Sequence, residues 1–361
     1  MKKIRLGVIG TGLAWERLHY PALQKMSQEY EIVALANRSI EDAIEFAKKI
    51  NLDLSNVYGD YKEMLQREDI DAIDILVPIE QNYEVSENVA KSGKSFICEK
   101  PLAPNMEQAQ NYLELSRKYQ VKILIAENFR YNEEINKIRD MVQMGKIGEI
   151  VYFVQNNVFD FPSEMVKDTF AAKEWRQHPA FFGGTFLDGA IHDIGAMRHI
   201  FGAVDKVQAF GKEQKEDYCP YKSIHANILF KDGVIGQYTY FSSGVEAQKP
   251  QIGLRIFGSK GSLYLEDKAC GIINIFYNDG SMEQIPYTPK QGYYHELMNF
   301  YRAFHDEEDI AVTPDVEFGD VKMVFDILKS LKTGEIVEVD KVMELAFYAH
   351  EAYIEIPHYV Q

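Results

Sequence analysis

Cysteine is scarce. There are three in 361 residues, Cys98, Cys219 and Cys270, far apart and without metal-ligand spacing. That excludes a disulfide-stapled fold and a cysteine-held metal, and it reads as reduced thiols in a cytoplasmic protein. Basic charge is also in deficit: 39 Lys and Arg stand against 55 Asp and Glu, a formal net charge of −16. Phosphate backbones and anionic lipids reward cations, so neither nucleic acid nor a membrane is expected as a partner. Long apolar runs are missing too. The stretch after Met1-Lys2-Lys3 is too short and too glycine-rich for a signal peptide, and nothing approaches a membrane span. What remains is ordinary, with 46% hydrophobic and 26% charged residues, and long enough for two soluble domains with their own cores.

The first third alternates. Apolar strands are expected at 4–9, 31–36, around 57, at 72–77, 95–98 and 122–126. Helices are expected between them, at 14–26, 40–50, 61–66, 81–92 and 106–119. Short apolar strands alternating with helices imply a parallel sheet covered on both faces. This is a doubly wound α/β (Rossmann) pattern, predicted over residues 1–126, whose ligand sits beyond the carboxyl ends of the strands. Gly10-Thr11-Gly12-Leu13 follows the first strand. Gly10 allows the turn and Gly12 lets the backbone approach a pyrophosphate at a helix N-terminus. Trp15 stands where a third glycine is usual, so its ring must shift the helix packing or stack near the ligand. The second strand runs into Asn37-Arg38-Ser39. An NAD site usually has a carboxylate there for the ribose. An amide followed by an arginine favours NADP, whose extra phosphate Arg38 would meet.

Glu99-Lys100-Pro101 ends the fifth strand, at the rim where a ligand binds. Pro101 biases Lys100 away from helical geometry and holds it extended.

The second half, 127–361, changes character. Alternating strands are expected at 150–158, 203–211, 223–230, 234–241, 251–257, 261–266 and 272–277, with glycine turns between them. They predict an α+β domain on a large, open, mostly antiparallel sheet. Helices are expected at about 292–305, 315–332 and 341–353. With one sheet face uncovered, a homodimer or homotetramer through that sheet follows. Gly183-Gly184 opens a helix at about 186–201 carrying Asp188 and His192, four apart on one face. Histidine is the side chain suited to proton transfer near neutrality. No second ligand cluster accompanies the pair, so no metal is expected.

Together these pieces resemble the glucose–fructose oxidoreductase / inositol dehydrogenase (Gfo/Idh/MocA) family over nearly the whole chain. The residues that carry the resemblance are Gly10-Thr11-Gly12, His19-Tyr20-Pro21-Ala22-Leu23, Gly93-Lys94, and Cys98-Glu99-Lys100-Pro101. Glu127-Asn128-Phe129-Arg130, Gly145 through Ile150, Trp175-Arg176, and Gly183-Gly184 with Asp188 and His192 complete it. The resemblance implies an NADP- or NAD-dependent dehydrogenase or reductase. Its substrate would be a secondary alcohol or ketone of a sugar, cyclitol or related polyhydroxylated molecule. It assigns catalytic and substrate-binding roles to Lys100, His192 and Asp188. Arg130 and Tyr131 become candidates for substrate contact. Pro78, Asn82, Glu99, Lys100, Trp175 and Arg176 join Gly10 through Leu13 and Asn37 through Ser39 as candidates for the cofactor. Asn82 stands where relatives commonly carry histidine. Ala190 and Gly195 replace a glycine and an aspartate common in the catalytic segment, which bears on substrate class. A non-catalytic, nucleotide-responsive regulator on the same fold is the alternative.

Overall fold

The computed structural model describes residues 2–242 and 253–339. The helix expected at 341–353 and the first two residues of the strand expected at 251–257 lie outside them. The described chain divides into two units: 2–127 with Tyr293–Phe318, and Asn128–Gly292 with the residues from Gly319 on.

The first unit holds six parallel strands, β1 (Ile4–Ile9), β2 (Tyr30–Ala36), β3 (Val57–Tyr58), β4 (Ala72–Ile75), β5 (Ser95–Glu99) and β6 (Ile123–Ala126). Their order, β3-β2-β1-β4-β5-β6, is the dinucleotide-binding one. Ile4, Leu6, Val8, Ile73, Ile75, Phe96 and Ile97 are fully buried, on both faces of the sheet. That double burial is why these strands read as apolar runs rather than alternations.

Two helices differ from expectation. The helix expected at 14–26 contains a π-helical turn, Trp15–His19, before Tyr20–Leu23. The helix expected at 106–119 breaks into Met106–Tyr112 and Leu115–Tyr119.

The division between units also differs. Tyr293–Phe318, expected in the second domain, packs with the first unit. Tyr30 Oη donates to Leu297 O at 2.6 Å and Ile125 N donates to Val312 O at 2.9 Å. Helix Gly292–Phe304 buries Leu297, Phe300 and Tyr301 there. Such a return depends on contacts more than 180 residues apart, which local patterning does not encode.

The second unit is built on nine strands: β7 (Ile150–Val158), β8 (Val204–Glu213), β9 (Tyr221–Phe230), β10 (Ile235–Phe241), β11 (Gly253–Gly258), β12 (Gly261–Leu265), β13 (Ile272–Tyr277), β14 (Met282–Pro286) and β15 (Val337–Glu338). They are ordered β14-β13-β12-β11-β7-β10-β9-β8-β15, and β7 with β10 is the parallel pair. β14 and β15 were not expected: the first lacks alternating apolar residues and the second has two residues. Register sorts the faces. Ile275, Leu263, Ile256, Phe153, Gly236, Ile228 and Val207 form one row across neighbouring strands. All seven residues are buried. Helix Thr185–Phe201 packs over this face, with Phe201 stacked on Phe153 at 4.1 Å. The adjacent row, Met282, Phe276, Ser262, Phe257, Tyr152 and Ile235, lies on the opposite face. There Met282, Phe276, Tyr152 and Ile235 are exposed.

Candidate functional site

In the first unit the chemistry-bearing residues gather at the carboxyl ends of β1, β2, β4 and β5. Gly10 has φ +97°, and a Cβ there would lie 2.2 Å from Leu76 O, so only glycine makes this turn. At Gly12 a Cβ would meet nothing within 4 Å, so the backbone fronts open space. Glu16 N donates to Gly12 O and starts the helical turn. Leu13 is half-buried beside it. The π-helical turn directs both Trp15 and His19 inward. Trp15 is fully buried between Tyr20 and Phe46, at 5.6 and 5.7 Å, so the ring has entered the core rather than a ligand site. Asn37 Nδ2 donates to Thr11 Oγ1 at 3.0 Å and ties the end of β2 to the glycine turn. Arg38 next to it is exposed. Ser39 takes the N-cap position of helix Ile40–Lys49 without a side-chain cap hydrogen bond.

Pro78 opens a short turn ahead of helix Asn82–Lys91. Asn82, a candidate for the cofactor, braces the backbone at the end of β5. It is fully buried, and its Nδ2 donates to Glu99 O at 2.9 Å and to Pro101 O at 2.8 Å. The backbone is thus held on both sides of Lys100. Lys100 is itself nine-tenths buried, and its bond to Pro101 is cis.

In the second unit the candidate residues Asp188 and His192 lie on the half-buried stripe of helix Thr185–Phe201. Gly184 precedes it with φ +52°, where a Cβ would lie 2.1 Å from Tyr218 O. Asp188, Gly189 and His192 are half-buried, while Ala190 and Gly195 are buried. The departures at Ala190 and Gly195 therefore face the packed interior. Arg176, on the short helix Glu174–Gln177, pairs with Asp188: Nη2 donates to Oδ1 at 3.3 Å, and Nε lies 3.0 Å from Oδ2. The guanidinium also stacks on Trp175 at 4.6 Å. Of these two cofactor candidates, Arg176 contacts Asp188 and Trp175 backs the guanidinium.

His192 lies face to face with Phe129, with ring centroids 4.3 Å apart. Lys268 Nζ sits 3.4 Å from the centroid of the same ring. Its ammonium is 3.3 Å from Asp193 Oδ1. Asp193 also accepts from Asn157 Nδ2 at 2.6 Å and Tyr238 Oη at 3.0 Å. A cavity of about 170 Å³ opens beside Asp193, Asn157 and Lys268 and is backed by Met197, Ile200 and Leu254. Sequence reasoning did not single out Phe129, Asp193 or Lys268 as candidates. Phe129 lay within the Glu127-Asn128-Phe129-Arg130 motif and Asp193 beside His192, while Lys268 sits in what reads as a turn.

Arg130, expected to touch substrate, is buried in the second unit. Its Nη2 donates to both carboxylate oxygens of Asp320 at 2.9 Å, and Nε donates to Oδ2 at 3.2 Å. Arg198 closes on the same carboxylate. The guanidinium of Arg130 is committed to this pair, and Tyr131 is buried beside it in sequence.

Residues 4–127 match the family model of the oxidoreductase family with an NAD-binding Rossmann fold, and 135–264 match that of the GFO/IDH/MocA C-terminal domain. The chain belongs to the Gfo/Idh/MocA oxidoreductase family. This Gfo/Idh/MocA protein is 27% identical over 354 residues to an uncharacterized protein of Saccharomyces cerevisiae, covering 94% of this chain and all of that one. It is 23% identical over 339 residues to D-xylose 1-dehydrogenase (NADP(+)) 2 of Haloferax volcanii, covering 92% and 99%. Among solved structures, an oxidoreductase from Thermotoga maritima superposes with a TM-score of 0.81 at 28% identity, covering 93% and 98%. The first unit of the Gfo/Idh/MocA protein fits the dinucleotide that its family binds. Gly12 fronts open space, and Gly10 through Leu13, Asn37 through Ser39 and Pro78 are the residues that would hold the cofactor. Among the described residues no group of three or more His, Cys, Asp and Glu side chains is arranged to hold a metal ion.

Proposed function

We propose that this protein interconverts a secondary alcohol and a ketone on a sugar, cyclitol or sugar derivative, using NADP(H) in preference to NAD(H). The observation that carries the reading is the bracketed lysine. Asn82 fixes the backbone on both sides of Lys100, an investment that a surface lysine after a strand does not require. The nicotinamide cofactor, when bound, supplies or accepts the hydride. Lys100 hydrogen-bonds the reacting oxygen and stabilises the negative charge that develops on it. His192 takes or returns the hydroxyl proton, its ring plane set by Phe129. Asp188, steadied by Arg176, binds a neighbouring hydroxyl or orients His192.

Arg38 supports the NADP preference. It is an exposed cation at the end of β2, beside an amide where NAD sites carry a carboxylate. The Haloferax relative named as NADP(+)-dependent is in keeping with that choice. The exposed row of Met282, Phe276, Tyr152 and Ile235 supports assembly into a dimer or tetramer through the outer sheet face. A cytoplasmic location goes with three free thiols, Cys98, Cys219 and Cys270.

The test is a panel of sugars, inositols and sugar nucleotides read by NAD(P)H absorbance. Turnover on at least one member is expected. On that member Lys100→Met should lower turnover about 10²–10³-fold, because it removes a donor aimed at the reacting oxygen. Cofactor binding without turnover anywhere in the panel returns the protein to the regulator reading. Near wild-type turnover in Lys100→Met overturns the assignment of Lys100.

A further inference from the structure

Inside the first unit one imidazole is surrounded by carboxyl groups. His19 is completely buried. Its Nδ1 lies 2.9 Å from Asp74 Oδ2, its Nε2 lies 3.1 Å from Glu99 Oε1, and Glu296 Oε1 stands 3.9 Å from Nε2. The sheet explains the first two partners. Asp74 on β4 pairs with Ile97 on β5, so the two side chains project from the same face. Glu99 is two residues beyond Ile97 and projects from that face as well. The π-helical turn delivers His19 between them.

A carboxylate only accepts hydrogen bonds, and a neutral imidazole has one donor. Two flanking carboxylates are both satisfied when both ring nitrogens carry protons. Burial alone would push His19 toward the neutral form, but Asp74 and Glu99 outweigh it and hold the imidazole's pKa well above the ordinary value. The other groups facing the ring come from helix Gly292–Phe304: the Tyr293 ring at 5.8 Å and Glu296. Burial, with Glu99, Glu127 and Asp74 nearby, raises Glu296 well above the carboxylate range and favours its neutral form.

We propose that Asp74 and His19 are positioning residues that grip Glu99 through a doubly protonated imidazole and so hold Lys100, the next residue, in its working place. The proposal rests on the catalytic reading of Lys100. With Asn82 it completes the bracket: His19 holds the Glu99 side chain, and Asn82 holds the carbonyls of Glu99 and Pro101. Loss of the ring proton leaves one nitrogen as an acceptor facing a carboxylate. Asp74 and Glu99 then compete for one donor, and the hold on Glu99 weakens.

The test starts with nitrogen-15 histidine NMR of the wild-type protein. His19 is expected to keep the imidazolium signature at pH 8, where an unperturbed histidine is neutral. A neutral His19 at pH 8 overturns the proposal, and this reading requires neither a variant nor a substrate. Asp74→Asn should make His19 neutral at pH 8, while its remaining N–H stays on Glu99 and the new amide donates to Nδ1. His19→Phe removes both ring donors, so it tests the grip itself. In His19→Phe, hydrogen exchange at 99–102 should rise at least about tenfold, with β2 unchanged, since local opening is read there. On the substrate found by the panel, kcat of His19→Phe should fall between about 10- and 100-fold with KM changed less than about threefold, as misplacement of a catalytic group predicts. A His19→Phe protein with wild-type exchange at 99–102 overturns the positioning role. The NMR and exchange readings stand if the panel finds no substrate, so a failed functional assignment is distinguishable from a failed grip on Glu99.

Discussion

Replacing Arg130 by methionine separates two roles for a residue that sequence alone places at the substrate. In the structure the Arg130 and Asp320 side chains are 3% and 0% exposed. Arg130 gives Asp320 three N–H contacts, two at 2.9 Å and one at 3.2 Å. Methionine fills much of the same volume and removes every donor. Breaking a buried pair by removing one partner costs about 3–5 kcal/mol, because a charge is left in low dielectric. Arg198 remains on Asp320, so the lower end, about 3 kcal/mol, is expected. At about 2–4 °C per kcal/mol for a domain of this size, the melting midpoint should fall about 6–12 °C. Differential scanning calorimetry gives the midpoint, and steady-state kinetics below it give KM. The expected pair of results is a large fall in midpoint with KM nearly unchanged. A midpoint within about 2 °C of wild type, together with a tenfold rise in KM, would refute the structural role and restore Arg130 as a substrate contact.

Arg38→Ala should weaken NADPH binding much more than NADH binding, and Asn37→Asp added to it should move preference toward NADH; equal losses in fluorescence titrations would remove the NADP assignment. Ile235→Asp with Phe276→Asp places two charges on the exposed sheet row and should lower the mass seen by light scattering to that of one chain; a monomeric wild type at micromolar concentration would end the assembly proposal. Glu134 has its pKa raised to about 7, first by burial. A raised folded pKa contributes stability that is complete below the unfolded value near 4.5 and is lost as pH rises toward 7. Glu134→Gln should remove up to about 1.4 kcal/mol of that loss per pH unit across the window, read as the difference between urea midpoints of the two proteins. A constant difference from pH 4.5 to 7 would refute it.

Local pattern determined a good deal here. Six apolar runs separated by helices specify a parallel sheet, because strands buried on both faces leave no room for alternation. Gly10 and Gly12 are legible because a tight turn and an open backbone each demand glycine at a fixed distance from a strand. Lys100 is legible from its place at a strand end, and Asp188 with His192 from their spacing of four on a helix. Burial and turn geometry are short-range constraints, so they leave a short-range record.

What the tertiary structure decided involves partners far apart in sequence. Arg130 is drawn to Asp320, 190 residues away, and a lone arginine carries no mark of whether a carboxylate or a ligand awaits it. Asn82 Nδ2 is given to the carbonyls on either side of Lys100, because those carbonyls need a donor and folding brings the amide to them. Trp15 is turned inward by a π-helical turn, and Tyr293–Phe318 returns to the first unit. Phe129 meets His192 on one hand and Lys268 on the other, three residues drawn from three separate stretches of the second unit. Sequence names which groups could do chemistry. Only the fold, by satisfying or withholding each buried donor and charge, decides which of them are already spoken for.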